Sequence, residues 1–186
     1  MTTFTRLAIP DVVLVEPRRF GDARGYFCET YKKSAFDAFG LDLSFVQDNE
    51  SLSRVVGVVR GLHFQTPPFA QAKLVRAVRG AIFDVAVDIR KGSSSYGAWV
   101  GATLSGENGH QLLVPRGFAH GFCTLEPDTI VAYKVDAPYS QPHDAGILWN
   151  DPALAIEWPV AAEAVTLSDK DLALPLLADY PTPFAL

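Results

Sequence analysis

A histidine near the end of a valine-rich strand is the residue best placed to do chemistry. The strand runs from Val58 to Gln65, with Arg60 three residues before His63 and Gln65 two residues after it. Polar side chains on an apolar strand cost stability unless a partner satisfies them, and a polar ligand is an economical partner. Because the unperturbed pKa of imidazole is about 6.5, His63 is suited to move protons near neutral pH.

The residues around His63 favour a functional interpretation over a structural one. In an ideal strand His63 shares its face with Val59, Gly61 and Gln65. A histidine on a strand is more often structural than catalytic, but Gly61 leaves space beside it and is typical of a bulge. Arg60 should point to the opposite face. One ligand can therefore touch Arg60 and His63 only if Gly61 forms a bulge or the ligand wraps around the strand.

Metal binding is the rival use of a histidine in a β-barrel. A metal-binding jelly roll of the cupin type needs two histidines one residue apart and a carboxylate on the same strand face. Here Phe64 and Gln65 follow His63, and the other histidines stand alone: His110, His120 and His143. The sequence therefore predicts neither a metal site nor a cofactor.

Three further side chains each have a structural and a catalytic interpretation. Lys73 begins an apolar strand, either as an edge lysine that reaches solvent or as an ammonium that stabilises an oxyanion. Tyr133 is either a packed aromatic residue with a satisfied hydroxyl or a proton donor. Asp171 lies three residues after Ser168, which is the spacing of a helix capping box. From the residues alone, the capping role of Asp171 is favoured.

Composition limits the fold and the partners. A length of 186 residues predicts one domain, over 1–186. The 48% hydrophobic content indicates either a buried subunit interface or a large core. The net charge of −5 argues against nucleic acid as a partner, because phosphate contacts dominate that binding. Two cysteines, no leader segment and no apolar run of about 20 residues predict a cytoplasmic protein that does not span a membrane.

The hydrophobic pattern predicts a mainly β protein. Short strands at regular spacing favour a double-sheet jelly roll, a cupin-like barrel, with short peripheral helices. Alternation of apolar residues is clearest over 80–90. Elsewhere we expect a strand over 12–15, a polar loop over 18–26, a helix over 33–39 that ends at Gly40, and a hairpin over 104–114. Five prolines in the peripheral segment 151–186 predict short helical turns packed on the barrel.

Six short motifs together resemble one family, the dTDP-4-dehydrorhamnose 3,5-epimerases (dTDP-4-keto-6-deoxyglucose 3,5-epimerases). They follow the family's order and cover nearly the whole chain: DARGYF at 22–27, FVQDNES at 45–51, GVVRGLHFQ at 57–65, FDVAVDIR at 83–90, PRGFAHGF at 115–122 and WNDP at 149–152. The resemblance implies a metal-free jelly roll. It also implies a homodimer in which the N-terminal strands, within 1–50, are exchanged with or packed against the partner.

Matching those motifs residue by residue implies a role for each polar side chain. His63 would be the general base, Asp171 the carboxylate that orients it, Tyr133 the acid on the opposite face of the sugar, and Lys73 the cation that stabilises the enolate oxygen. Nine residues would contact the nucleotide sugar, with Tyr139 stacked on the thymine: Arg24, Glu29, Gln47, Asn49, Arg60, His120, Tyr139, Asp144 and Lys170. The family usually has Glu where Asp144 stands.

The chemistry of a 4-keto sugar calls for such a set. The carbonyl acidifies the protons on carbons 3 and 5, and a cation must meet the enolate charge on oxygen 4. Inversion needs a proton from the face opposite the base. We therefore expect a 3,5-epimerase of a dTDP-4-keto-6-deoxy sugar in dTDP-L-rhamnose or related deoxysugar biosynthesis. The alternatives are a relative that epimerises one carbon and a non-catalytic jelly roll that binds nucleotide sugars; a metal-dependent oxygenase lacks a ligand cluster.

Overall fold

Thirteen strands and two short α-helices make up the chain, and the computed structural model describes residues 1–186. The strands are β1 (Thr3–Arg6), β2 (Val13–Glu16), β3 (Arg19–Asp22), β4 (Gly25–Cys28), β5 (Gln47–Ser53), β6 (Val59–Gln65), β7 (Lys73–Arg79), β8 (Ala81–Asp88), β9 (Trp99–Ser105), β10 (Gln111–Val114), β11 (Phe118–Thr124), β12 (Thr129–Val135) and β13 (Asp144–Gly146). The helices are α1 (Lys33–Ala38) and α2 (Asp169–Leu172), and single 3-10 turns lie at Gln141–His143, Ala162–Ala164 and Leu177–Asp179.

Eleven of the strands form two antiparallel sheets that pack on each other. The six-stranded sheet has the order β1-β2-β10-β7-β12-β5, and the five-stranded sheet has the order β13-β6-β11-β8-β9. Apolar side chains from both sheets form the main core between them. This arrangement confirms the predicted double-sheet jelly roll. The remaining two strands, β3 and β4, form a separate hairpin.

Strand β8 is largely buried on both faces because each face packs against a different layer. Ile82 and Ala86 lie in the core between the sheets. Val85 and Val87 lie on the other side, in a cluster that includes Leu177 of the C-terminal segment. Burying an aliphatic side chain of this size contributes about 1.5–3 kcal/mol. The predicted packing of short helical turns on the barrel after residue 151 is therefore confirmed.

Helix α1 spans Lys33–Ala38, one residue fewer than the predicted 33–39. Its side chain Phe36 is 1% exposed and packs with Val13 and Leu74 on the six-stranded sheet. Gly40 ends the helix with φ of +87°, a backbone conformation that glycine adopts without steric cost. Neither α-helix combines the length and the apolar character that a membrane-spanning helix requires.

Two predictions about local structure are wrong. The expected polar loop over 18–26 contains β3 and the beginning of β4, in which Arg19 pairs with Cys28. Charged residues are compatible with these strands because the hairpin is largely exposed. The expected hairpin over 104–114 is absent, because β9 belongs to the five-stranded sheet and β10 to the six-stranded sheet. A glycine-rich turn specifies a chain reversal, but it does not specify which strand the next segment pairs with.

Candidate active site

A cavity of about 590 Å³ is lined by residues of both sheets and of the C-terminal segment. The four predicted catalytic residues, His63, Lys73, Tyr133 and Asp171, line it together with Arg60, His120 and Lys170. A smaller cavity of about 190 Å³ shares His63, Lys73, Tyr133 and Lys170 with the first and adds Gln47, Asn49, Tyr139 and Asp144. The volume of the larger cavity suits a small-molecule ligand.

A bulge in β6 brings Arg60 and His63 to the same cavity. Between these two residues β6 has one residue more than the facing stretch of β11, so the register shifts there. Gly61 has φ of +127°, and a Cβ atom at this position would lie 2.6 Å from the Cα atom of Gly121. Only glycine fits such an approach. Arg60 and His63 therefore reach the same cavity through a bulge at Gly61, which is one of the two possibilities that the sequence allows.

His63 and Asp171 form a close polar pair in the cavity. His63 Nε2 lies 2.5 Å from Asp171 Oδ1. The Ser168 hydroxyl donates to Asp171 Oδ2 at 2.9 Å and accepts from the Asp171 amide at 3.2 Å. Asp171 therefore takes part in the helix cap and also contacts His63, whereas the residues alone favoured only the capping role.

The environment of Asp171 determines which nitrogen of His63 is basic. Burial by itself raises the pKa of Asp171, but the hydrogen bond from His63, its charge when protonated and the Ser168 hydroxyl bring that pKa below its ordinary value. Asp171 is therefore an anion at neutral pH and can only accept a hydrogen bond. The proton between them then belongs to His63 Nε2, which leaves Nδ1 of the neutral imidazole free to accept another.

Lys73 crosses the interior instead of reaching solvent. It lies on the six-stranded sheet, is 8% exposed, and its Nζ donates to the backbone carbonyl of His63 at 3.2 Å. This geometry excludes the edge-lysine interpretation. Burial lowers the pKa of Lys73 to about 8, although the negative charges of Asp84 and Asp144 act to raise it. The side chain is thus mostly an ammonium at neutral pH, and it is placed where water screens its charge poorly.

Tyr133 belongs to the six-stranded sheet, whereas His63 belongs to the five-stranded sheet. Both line the same cavity, so they approach it from different walls. Burial is the main cause that raises the pKa of Tyr133. Its hydroxyl therefore keeps its proton at neutral pH, as a proton donor must.

His120 pairs with a carboxylate that sequence analysis did not select. The Nε2 atom of His120 lies 2.8 Å from Asp84 Oδ1. Burial lowers the pKa of His120, although the negative charge of Asp84 acts to raise it. The other oxygen of Asp84, Oδ2, is buried without a hydrogen-bond partner. One signal was present in the sequence: Asp84 is a carboxylate between two apolar residues of the same strand face, Ile82 and Ala86.

The rim of the cavity is held together by Asp144. Its Oδ2 accepts from Lys170 Nζ at 2.5 Å and from the Tyr139 hydroxyl at 3.1 Å. Gln47 joins the same rim, because its Oε1 accepts from the Tyr139 amide at 3.0 Å and its Nε2 donates to Asn49 at 2.7 Å. Aspartate is therefore long enough to bridge these groups where the family usually has glutamate.

Two of the predicted binding residues lie elsewhere in this chain. Arg24 is paired with Asp22 at 2.6 Å at the tip of the exposed β3–β4 hairpin. Glu29 follows β4 and lies 3.7 Å from Lys32. Neither side chain lines the cavity of its own chain. No group of three or more His, Cys, Asp or Glu side chains has the arrangement of a metal site.

The chain is similar in sequence and in fold to known epimerases. The family model described as dTDP-4-dehydrorhamnose 3,5-epimerase matches residues 6–179. A dTDP-4-dehydrorhamnose 3,5-epimerase of Sinorhizobium fredii is 57% identical over 181 residues, which are 97% of this chain and 92% of that protein. The chain also resembles the crystal structure of the Bacillus anthracis enzyme with TDP and PPi bound, with a TM-score of 0.91, 54% identity, and 95% of this chain and 99% of the other covered.

A second solved structure contains a sugar nucleotide. It is the dTDP-6-deoxy-D-glucose-3,5-epimerase of Legionella pneumophila in complex with dTDP-4-keto-L-rhamnose. The similarity has a TM-score of 0.91 and 44% identity, and it covers 96% of this chain and 94% of the other.

Proposed function

Because this chain belongs to the dTDP-4-dehydrorhamnose 3,5-epimerase family, we propose that its cavity inverts carbons 3 and 5 of a dTDP-4-keto-6-deoxy sugar by metal-free proton transfer. Membership of this family makes the chain a carbohydrate epimerase, an isomerase. The observation that carries the mechanism is the pair of His63 and Asp171 at 2.5 Å, beside the buried ammonium of Lys73.

The first step is removal of a proton from the carbon next to the carbonyl. The lone pair of His63 Nδ1 takes the proton, and the electrons of the C–H bond move into the carbonyl to form an enolate. The imidazolium that results is stabilised by the anionic Asp171, which also holds the ring in one orientation.

Lys73 stabilises the charge that develops on oxygen 4. A preorganised cation in a water-poor site lowers the barrier more than the same cation in water, and such electrostatic stabilisation is usually the largest catalytic contribution. The hydrogen bond from Lys73 to the His63 carbonyl keeps the cation beside the base.

Tyr133 completes the inversion. Its hydroxyl proton passes to the enolate carbon from the wall opposite His63, the enolate collapses to the ketone, and the tyrosinate regains a proton from solvent. His63 releases the proton it took, so the cycle balances without a cofactor. The same base and acid serve carbons 3 and 5 in turn when the sugar ring is repositioned between them.

The nucleotide portion of the substrate would lie toward the rim. Arg60 lines the cavity as an exposed guanidinium, whose geometry suits a diphosphate. Tyr139 is 56% exposed and offers its ring to the thymine. The relatives with bound TDP and dTDP-4-keto-L-rhamnose support a nucleotide sugar as the ligand class.

We infer a homodimer in which the β3–β4 hairpin of one protomer reaches the cavity of its partner. The hairpin carries Arg24 and exposes three aromatic side chains, Phe20, Tyr26 and Phe27, by 49%, 60% and 67%. Exposed aromatic clusters of this kind mark interaction sites. A partner's hairpin would place Arg24 and Glu29 in contact with the substrate, which their own chain does not do.

A cytoplasmic location and a single domain over 1–186 belong to the same proposal. Both cysteines, Cys28 and Cys123, are free thiols, which suits a reducing compartment.

Deuterium labelling tests the function. The purified protein is incubated in heavy water with dTDP-4-keto-6-deoxyglucose, and NMR locates the label. Deuterium at carbons 3 and 5 is expected. Label at one carbon would instead identify a mono-epimerase, and an unlabelled sugar that still binds would exclude epimerisation.

A further inference from the structure

We propose that Gln65 is a positioning residue that fixes the backbone on both sides of Tyr139 and thereby holds the Tyr139 ring ready for the nucleotide base. The proposal deepens the function inferred above and rests on the contact between Tyr139 and the base. The sequence alone assigns no role to Gln65.

The amide of Gln65 is buried and connects two loops. The side chain is 4% exposed. Its Nε2 donates to the Phe69 carbonyl at 2.7 Å and to the Pro138 carbonyl at 3.1 Å, and its Oε1 accepts from the Ser140 amide at 2.7 Å. Both donors and the acceptor are used, so the amide cannot be replaced by a carboxylate or a thioether without breaking bonds.

The bonds from Gln65 bracket Tyr139. Pro138 precedes it and Ser140 follows it, and the Tyr139 amide itself donates to Gln47 Oε1 at 3.0 Å. The two peptide groups that flank the Cα atom of Tyr139 are thus anchored by two glutamines, whereas the Tyr139 ring is 56% exposed. A rigid backbone beneath an exposed ring is the arrangement of a preformed stacking platform, because ligand binding then orders little that is not already ordered.

The location of Gln65 links this platform to the proposed catalytic residues. It follows His63 by two residues on β6, and through the Phe69 carbonyl it holds the loop that leads to Lys73 at the start of β7. The Gln65 amide therefore connects three parts of the site. It lies on the strand of the proposed catalytic residue His63, and it donates to the loop that precedes Lys73 and to the loop that carries Tyr139. A purely structural residue would alter stability alone, whereas this arrangement predicts an effect on nucleotide affinity.

The first test compares Gln65→Met, Tyr139→Ala and the double variant by calorimetric titration with dTDP. We expect Tyr139→Ala to weaken binding by about tenfold, as for loss of one stacked base. Gln65→Met should weaken it by roughly three- to tenfold and raise KM more than it lowers kcat. Because Gln65 acts through the Tyr139 ring, the double variant should bind no more weakly than Tyr139→Ala.

A second variant, Gln65→Glu, gives a signature that lost packing would not produce. Its carboxylate would face the carbonyls of Phe69 and Pro138, which raises its pKa by burial and by the unfavourable contacts. Protonation restores one donor. The dTDP affinity of Gln65→Glu relative to the unmodified enzyme should therefore improve as the pH falls from 8 to 5.5, whereas the relative affinity of Gln65→Met should stay constant. Gln65→Glu also serves if Gln65→Met does not fold.

The matched control is Thr129→Val, at the far end of β12 from the rim. It removes one buried hydroxyl that donates to the Glu126 carbonyl at 2.7 Å, and it should leave dTDP affinity unchanged. An unchanged dTDP affinity in Tyr139→Ala would refute the contact between Tyr139 and the thymine in the proposed function. Weakened binding in Tyr139→Ala together with wild-type binding in both Gln65 variants would overturn the present inference and leave the proposed function standing.

Discussion

His63 Nε2 lies 2.5 Å from Asp171 Oδ1, although 108 residues separate the two along the chain. Asp171 is placed by the Ser168 cap at the beginning of α2, so the same short helix end fixes the carboxylate and orients the imidazole. The C-terminal segment therefore does more than cover the five-stranded sheet. It supplies Asp171, one of the two groups on which the proposed proton abstraction depends.

Replacing Asp171 tests the electrostatic part of this pair. Asp171→Asn keeps the size of the side chain but removes its charge, so the imidazolium loses its stabilising anion. We expect kcat to fall by about 10²- to 10³-fold, with dTDP affinity nearly unchanged. The control is Asp169→Asn, an exposed carboxylate in the same helix turn, which should retain activity. Equal losses in both variants would attribute the effect to the helix and not to the pair.

The pH dependence of kcat/KM tests the role of Lys73. In the proposed mechanism the ammonium is the form that stabilises the enolate, and the pKa of Lys73 is lowered to about 8. Activity should therefore fall as the pH rises through about 8, while the raised pKa of Tyr133 keeps that residue from causing the loss. Lys73→Met should lose most activity at every pH. Lys134→Met, which removes a lysine paired with Asp48, should show the same loss of kcat/KM at alkaline pH as the unmodified enzyme. A kcat/KM that stays constant up to pH 10 in the unmodified enzyme would contradict the role proposed for Lys73.

The layers of the fold were predictable from the sequence because period-two alternation and turn residues report directly on strands and reversals. The same signals do not say which strands pair. The chain between β9 and β10 has turn residues that suit a hairpin, yet it passes from one sheet to the other. Pairing depends on long-range packing, which local composition does not encode.

The candidate site was predictable where a polar residue stands out against an apolar strand, as His63 and Arg60 do. Lys73 was ambiguous, since only the three-dimensional contact with the His63 carbonyl distinguishes a buried ammonium from an edge lysine. The contact of Asp84 with His120 and the hydrogen bond from Gln65 to the Pro138 carbonyl were not predicted. These contacts join residues of different strands and loops, and they leave no local pattern in the sequence.

Subunit complementation tests whether Arg24 acts on the partner's cavity. Arg24→Ala and His63→Ala are each expected to be weak or inactive as homodimers at low substrate concentration. When the two are unfolded together and refolded, half of the dimers are mixed, and each mixed dimer has one complete site. Activity should return to about a quarter of the unmodified level. No recovery in dimers verified by light scattering would place Arg24 at its own chain's site, and a monomeric mass for the unmodified protein at micromolar concentration would refute the homodimer.

The separation of the proposed base, His63, from the proposed acid, Tyr133, predicts different defects for the two walls of the cavity. Tyr133→Phe removes only a hydroxyl, so His63 can still take a proton and return one from the same face. We expect this variant to exchange protons with solvent but to form little inverted product. Tyr31→Phe, which removes a hydroxyl that donates to the Leu43 carbonyl away from the cavity, should exchange and invert normally.

The most direct test is the fate of deuterium at carbons 3 and 5 in His63→Ala and Tyr133→Phe, each measured by NMR in heavy water with dTDP-4-keto-6-deoxyglucose. We expect no exchange in His63→Ala, with dTDP still bound, and exchange without inversion in Tyr133→Phe. Full exchange in His63→Ala would refute the role of His63, because another group would then be the base.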